Sequence, residues 1–145
     1  VSIKLPILIP EKYIPDLSLR LSLYRRVGEI QEIEELNFFK EEMINRFGII
    51  PDEFSNYLDV MVLKLLARKC SIAKIYIFKK IYSITFDKKR TEYSENFIKW
   101  VTNSKNKIIL KSSHEIKVNH EIDDAKKQLF DIINIVKKML ELLES

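Results

Sequence analysis

Glycine and cysteine are scarce in this chain, and each scarcity excludes a class of structure. Only 2 of the 145 residues are glycine. That number excludes a glycine-rich loop for phosphate binding, and it disfavours all-β folds, which depend on many tight turns. The single cysteine, Cys70, cannot form an internal disulfide, so we expect a reducing, cytoplasmic location.

Long apolar runs are also missing. No run approaches the roughly 20 residues that cross a bilayer. The N-terminal stretch is apolar, but Pro6 and Pro10 interrupt it, and it lacks the basic leader and small-residue cleavage site of a secretory signal. We therefore expect neither export nor a membrane partner.

Residues that could carry catalysis or bind a metal are few. His114 and His120 are the only histidines, and a zinc site would need further ligands at matching spacing. Cys70 has no histidine near it in sequence, so we interpret it as a small, semi-buried apolar residue rather than a nucleophile. The motifs of P-loop, dinucleotide-binding and nucleophile-elbow proteins are absent from the sequence. The sequence thus predicts no catalytic residue, no metal and no cofactor.

The charge balance is slightly basic, with 25 lysines and arginines against 21 acidic residues and a net charge of +4. A nucleic-acid groove needs clustered cations, whereas here acidic and basic residues are interleaved almost everywhere. With 46% hydrophobic residues, the chain is long enough to bury a core of its own. We expect one domain over residues 1–145.

The first half of the chain predicts three helices behind an N-terminal segment that prolines keep extended. Asp16 is placed to cap a helix from Leu17 to about Val27, which is apolar on two sides and should end at Gly28. A second amphipathic helix runs from about Glu32 to Phe47. A third begins at Pro51 and fades near Cys70.

In the second half of the chain, the spacing of apolar residues changes, and strands alternate with helices. The predicted elements are strands at Ala73–Phe78 and Tyr82–Phe86, a short helix at Tyr93–Asn103, strands at Ile108–Leu110 and Glu115–Val118, and a long helix at Ile122–Leu143. Lys79 and Lys80 should lie near the turn of a hairpin between the first two strands. The fold class is therefore α+β, with an N-terminal three-helix cluster, central short β-strands and a long C-terminal helix.

The hairpin offers an alternative function. Lysines and Arg90 are interleaved there with Tyr82, Phe86 and Tyr93, as in modules that bind single-stranded nucleic acid. The competing interpretation places these rings on the buried side of the hairpin and the lysines on its solvated side, and we favour it.

Three sequence strings are less generic than the composition. They are L-I-P-E-K-Y-I-P-D at residues 8–16, R-L-S-L-Y-R-R at residues 20–26, and N-R-F-G-I-I-P at residues 45–51. Their order and spacing resemble the C-terminal domain of the bacterial transcription-repair coupling factors, the Mfd family, over about residues 5–86. Most of these residues have an architectural interpretation.

The architectural residues of these strings have separate tasks. Pro10 and Pro15 should hold the N-terminal segment extended. Arg20 and Tyr24 belong to the second string, and Tyr24 should lie on the buried stripe of the first helix with its hydroxyl able to reach a partner. Phe47 is the last apolar anchor of the second helix. Gly48 should supply a positive φ for the helix cap, and Pro51 should restart the chain as helix.

The resemblance implies a regulatory function. Proteins of this family are ATP-driven DNA translocases that displace stalled RNA polymerase and recruit the excision-repair protein UvrA. Their C-terminal domain carries no motor motif and masks the UvrA-binding module of the same polypeptide. In this family, the residues that contact the module correspond to Glu42, Asn45 and Arg46 of this chain. Asn45 replaces the usual aspartate. We expect Glu42 and Arg46 to be exposed and free of internal ion pairs.

Overall fold

A computed structural model of the protein describes residues 1–90 and 92–144. Within them the fold is α+β, as predicted, with five helices and a four-stranded antiparallel sheet. The chain forms two compact units, a helical unit at Leu5–Leu65 and a sheet unit that comprises Val1–Lys4 and the chain from Leu66 onward. Our expectation of one domain over residues 1–145 remains a prediction.

The helical unit is built from α1 (Leu17–Glu29), α2 (Ile33–Phe47) and the first part of α3 (Asp52–Lys69). Asp16 caps α1, since its carboxylate accepts a hydrogen bond of 2.9 Å from the Ser18 N–H. The apolar stripes of the helices and the N-terminal segment meet in one core. Its buried members are Ile9, Ile14, Leu23, Val27, Ile30, Leu36, Phe39, Met43, Phe54, Leu58 and Leu65.

Two expectations about α1 are wrong. The helix does not end at Gly28 but continues to Glu29, because Ile30 is buried in the core and closes the last turn through its N–H to Val27 O. The helix is also not buried on both sides. Leu23 and Val27 face the core, whereas Leu17 and Leu21 lie on the opposite face and are more than half exposed.

The N-terminal segment is not extended throughout, which corrects the role we gave Pro10. Residues 11–13 form a turn in which the Pro10 carbonyl accepts hydrogen bonds from the N–H groups of Tyr13 and Ile14. Proline restricts its own φ and the residue before it, but its carbonyl remains free to accept. The turn brings the Tyr13 side chain over the end of α2.

The sheet unit contains β1 (Ile72–Phe78), β2 (Ile81–Phe86), β3 (Ile108–Leu110) and β4 (Glu115–Asn119) in the order β1-β2-β4-β3. The predicted hairpin joins β1 and β2, with Lys79 at a φ of 53° in the turn. Ser2 extends the sheet beside β1 through two backbone hydrogen bonds.

Two helices cover one face of this sheet. They are α4 (Glu95–Thr102), which starts later than predicted because Ser94 caps it, and α5 (Ala125–Leu143), which Asp124 caps. The buried residues from strands and helices are Ile75, Ile77, Tyr82, Ile84, Phe86, Phe97, Ile108, Ile116, Val118, Leu129, Ile132, Ile133, Val136 and Met139. The Phe86 and Phe97 rings meet edge to face at 6.1 Å.

Candidate interaction surface on the second helix

Glu42 lies at the centre of an ion-pair network that joins α1 to α2. Arg26 donates to both carboxylate oxygens of Glu42 at 2.8 Å each, in the bidentate geometry that orients a guanidinium group most firmly. Arg46, one turn further along α2, donates to Glu42 Oε2 at 2.9 Å. The expectation that Glu42 and Arg46 would be free of internal ion pairs is therefore wrong.

The network is nevertheless open to solvent. The side chains of Arg26 and Arg46 are 48% and 46% exposed, and that of Glu42 is 34% exposed. Hydrogen bonds from Arg26, and then from Arg46, lower the pKa of the Glu42 carboxyl from 4.5 to about 2. The hydrogen bond to Glu42 also raises the pKa of Arg26. Glu42 and Arg26 are thus both charged at neutral pH.

Aromatic rings support both arginines. The Arg26 guanidinium lies 5.1 Å from the centroid of Phe39, and that of Arg46 lies 4.8 Å from the centroid of Phe47. A guanidinium group over a ring is held in orientation by the ring quadrupole. The side chains are therefore ordered before any partner arrives.

An open groove of about 420 Å³ adjoins the network. Its walls come from the end of α1 and the outer face of α2, and they include Arg26, Glu29, Glu35, Phe38 and Glu42. The Phe38 side chain is 71% exposed, which is unusual for a large apolar side chain. The surface therefore combines fixed charges with one projecting aromatic ring.

Asn45 lies beside this network on the exposed side of α2. Positions 42, 45 and 46 are spaced so that one helix face presents them together. A carboxylate at position 45 would add a negative charge next to Arg46, whereas the Asn45 amide adds none. In this chain the predicted trio consequently carries one acidic and one basic group.

The end of α2 is fixed by residues that we assigned to the architecture. Gly48 has a φ of 91°, as predicted, and its N–H bonds Ile44 O at 3.0 Å. Phe47 packs its ring on that of Tyr13 at 5.8 Å. Pro51 directly precedes α3, and its carbonyl accepts the Ser55 N–H. These contacts fix the end of α2, and the Phe47 ring also lies beneath the Arg46 guanidinium.

Tyr13 is a residue whose role the sequence reasoning missed. Its hydroxyl lies 2.8 Å from the carbonyl oxygen of Gly48 and 3.1 Å from that of Met43, so it satisfies acceptors at the end of α2. The partners are 35 and 30 residues away in sequence. The only available signal was the spacing of Tyr13 between two prolines.

The start of α1 is tied down by Arg20 and Tyr24. Arg20 donates from Nη1 to the carbonyl oxygens of Ile14 and Pro15, at 2.8 and 2.9 Å. The Tyr24 hydroxyl accepts a hydrogen bond of 2.6 Å from the Ile9 N–H. The first two strings of the sequence thus hold the N-terminal segment against α1, and α1 in turn presents Arg26 to Glu42.

The two histidines and the cysteine lie in different surroundings. His114 bonds the Lys88 carbonyl and Ser113 Oγ, whereas His120 is buried and stacked on Tyr82 at 4.0 Å. Cys70 is buried, and burial raises the pKa of its thiol to about 11. Within residues 1–90 and 92–144, no group of three His, Cys, Asp or Glu side chains could hold a metal ion.

Two of the three rings of the alternative nucleic-acid function are not available to bases. Tyr82 and Phe86 are fully buried, because the hairpin turns them toward α4 and α5. Lys80 forms an ion pair of 2.9 Å with Glu121. The burial of these two rings argues against base stacking on them, and the third ring, Tyr93, is half-buried. None of the described helices is both long and apolar enough to cross a membrane.

Comparison with known proteins identifies the family of this chain. A family model described as the TRCF domain matches residues 3–97. The transcription-repair-coupling factor of Rickettsia conorii is 34% identical over 116 residues, which cover 80% of this chain and 10% of that protein. The factor of Haemophilus influenzae is 26% identical over 137 residues, which cover 94% of this chain and 12% of that protein.

A solved structure shares the fold over nearly the whole chain. It is described as the C-terminal domain of transcription-repair coupling factor, and it matches with a TM-score of 0.81 at 20% identity. The match covers 98% of this chain and 91% of that one. By contrast, the chain spans only about a tenth of the length of the curated relatives.

Proposed function

This chain belongs to the TRCF domain family and corresponds to the C-terminal domain of a transcription-repair coupling factor, and we propose that it acts there as a regulatory domain. In this proposal it works by binding and not by catalysis. The surface of Glu42, Asn45 and Arg46 packs on the UvrA-binding module of the same polypeptide and keeps that module masked.

The observation that carries the proposal is the ordered but exposed Arg26–Glu42–Arg46 network. Arg26 is committed to Glu42 by two hydrogen bonds, whereas Arg46 gives Glu42 only one. A guanidinium group has five N–H donors, so Arg46 keeps donors for a partner's carbonyl or carboxylate oxygen. Phe38 supplies an apolar contact beside them, as aromatic residues commonly do at interfaces.

A polar surface of this kind suits a contact that must be released. Exposed ion pairs contribute only about 0–1 kcal/mol each, so exchanging an internal partner of Glu42 for one on the module changes the free energy little. Contacts between domains of one chain are typically polar and of modest size. A conformational change elsewhere can therefore shift the population from the masked to the unmasked form.

The proposal places the domain in a larger cytoplasmic machine. The parent polypeptide would be an ATP-dependent DNA translocase that removes stalled RNA polymerase and then recruits UvrA for nucleotide excision repair. DNA, RNA polymerase and UvrA are thus partners of the parent, and the UvrA-binding module is the direct partner of this domain. The resemblance of residues 8–51 to the family supports this assignment.

The test is binding between this chain and the separately expressed UvrA-binding module of its own polypeptide, measured by calorimetry. The double substitution Glu42→Ala and Arg46→Ala should weaken binding by at least about tenfold, because buried polar contacts at an interface are lost together. Single substitution of Phe38 by alanine should weaken binding as well, since an exposed ring would lose its pocket on the module.

The chain offers a matched control for the double variant. Glu95 and Lys99 on α4 form an exposed ion pair with the same spacing of four residues, at 3.1 Å. Alanine at both positions removes equal charge from a different helix and should leave module binding unchanged. Equal binding by the Glu42, Arg46 variant and the wild-type chain would refute the proposed contact surface.

A further inference from the structure

The outer face of the sheet, opposite α4 and α5, carries exposed aromatic residues. Side chains alternate between the two faces of a strand. Because Ile75 and Ile77 are buried, Tyr76 and Phe78 of β1 point outward, and they are 52% and 48% exposed. Their ring centroids are 6.1 Å apart with planes inclined by 32°. Two neighbouring rings are thus presented to solvent at the edge of the sheet.

The strand register extends this outer face across the sheet. Tyr76 pairs with Ser83, Ser83 with Lys117, and Lys117 with Ile109. Directly paired residues share a face, so the Lys117 side chain lies two strands from Tyr76, or roughly 10 Å away. Ile109, at the far edge, is 36% exposed. Between the two edges this face carries polar side chains and one isoleucine, Ile81, which pairs with Phe78.

Lysines surround the rings. Lys74 is exposed and lies two residues before Tyr76 on the same face of β1. Lys79 follows β1 in the turn, with its Nζ 5.4 Å from the Phe78 ring centroid. The acidic residue on this face, Glu115, accepts a hydrogen bond of 3.0 Å from Ser83 Oγ. The outer face is therefore positive around its two aromatic rings.

The edge of β1 next to Tyr76 is already occupied. Ser2 donates to Ile75 O at 3.1 Å and accepts from the Ile77 N–H at 3.2 Å. A peptide strand of another protein cannot add to the sheet at this point, since the backbone groups that it would need are paired. A ligand of this region must therefore use the side chains of the outer face.

We propose that this outer face binds single-stranded nucleic acid, with two successive bases stacked on Tyr76 and Phe78 and the phosphates held by Lys74, Lys79 and Lys117. Flat rings flanked by lysines complement a chain that carries one planar base and one negative charge per unit. Paired bases in a duplex do not expose their faces to the rings, so the face suits a single strand.

The test uses the 145-residue chain and a fluorescein-labelled oligodeoxythymidylate of about 12 nucleotides, followed by fluorescence anisotropy. Three phosphate contacts predict that binding weakens by about 20-fold when salt rises from about 50 to about 200 mM. The double substitution Tyr76→Ala and Phe78→Ala should weaken binding by at least about tenfold. Tyr76→Phe keeps the ring and should bind as the wild-type chain does.

Phe130 provides the matched control. It is an exposed aromatic residue on α5, with Lys126 Nζ at 5.5 Å from its ring, and it is 50% exposed. Phe130→Ala should bind the oligonucleotide normally. Lys74→Gln with Lys117→Gln should lower the slope of log affinity against log salt by about 1.4, and this arm does not depend on the aromatic variants being folded.

Three results of the oligonucleotide experiment would overturn the inference. They are no binding at about 50 mM salt, equal binding by the Tyr76, Phe78 variant and the wild-type chain, and equal affinity for a duplex of the same length. Capture of a protein partner that requires Tyr76, without oligonucleotide binding, would also overturn it and would identify the outer face as a protein contact.

Discussion

The helical unit and the sheet unit expose two different kinds of chemistry. The helical unit presents arginines that are already oriented by Glu42 and by the rings of Phe39 and Phe47. The sheet unit presents Tyr76 and Phe78 among lysines on an open face. Oriented guanidinium groups favour one specific protein contact, whereas rings and lysines suit a repetitive polyanion. Each unit thus carries one of the two interaction surfaces that we propose.

The largest expected effect tests whether the two units unfold together. Phe54 in the helical unit and Phe97 in the sheet unit are both completely buried. Alanine at either position should lower the free energy of unfolding by about 3–5 kcal/mol, through lost burial and the cavity left behind. Urea unfolding followed by circular dichroism measures both changes.

The prediction of one domain requires that both variants shift one common transition. Two transitions, each shifted by only one of the variants, would contradict it. Phe38→Ala is the control, because this ring is 71% exposed and its removal should change the free energy of unfolding by no more than about 0.5 kcal/mol.

A smaller effect on stability is expected when either glycine of the helical unit is replaced by alanine, and the two substitutions should act in opposite directions. Gly48 has a φ of 91° and a ψ of −161°, a region that only glycine adopts readily. Gly48→Ala should therefore destabilise the chain by about 1–3 kcal/mol, although a Cβ there would meet nothing within 4 Å. Gly28→Ala, inside α1, should stabilise it by about 0.5–1 kcal/mol. Thermal unfolding would contradict this account if both substitutions changed the stability in the same direction.

The smallest effects concern stability at acid pH. The two units should lose stability in different pH ranges. Burial lowers the pKa of His120 below 6.5, although Asp131 and Glu121 oppose this shift. Above pH 6.5 the imidazole is neutral in both states. As the pH falls further the unfolded chain binds the proton first, so stability is lost. Glu42 should add stability above pH 4.5 that is lost as the pH falls toward 2.

Two variants test which residue causes the loss of stability in each pH range. His120→Gln should remove the loss of stability that begins below pH 6.5, and Glu42→Gln should remove the loss that begins below pH 4.5. An unaltered pH profile in the Glu42→Gln chain would show that the ion-pair network contributes nothing to folding.

The helical elements were predictable because their signals are local. Asp16, Gly48 and Pro51 mark helix ends within one turn of the residues they cap, and the structure confirms each position. The errors arose where a distant contact overrides the local signal. Buried Ile30 carries α1 past Gly28, and the carbonyl of Pro10 closes a turn that the proline itself does not specify.

The two surfaces could be predicted only in part. The family resemblance pointed to Glu42 and Arg46, but the partnership of Glu42 with Arg26 joins residues 16 apart on different helices, and no periodicity reports it. The outer face of β1 was ambiguous for another reason. Its sequence, IAKIYIF, is apolar at nearly every position, so alternation could not show that Tyr76 and Phe78 face solvent.

Capture of UvrA by the full-length polypeptide tests the central claim most directly. The masked form should bind UvrA weakly in the absence of stalled RNA polymerase, and Glu42→Ala with Arg46→Ala should increase capture by at least about tenfold. The control with alanine at Glu95 and Lys99 should remain at the wild-type level. Unchanged capture by the Glu42, Arg46 variant, from a polypeptide that unfolds like the wild type, would contradict the assignment of this surface to masking.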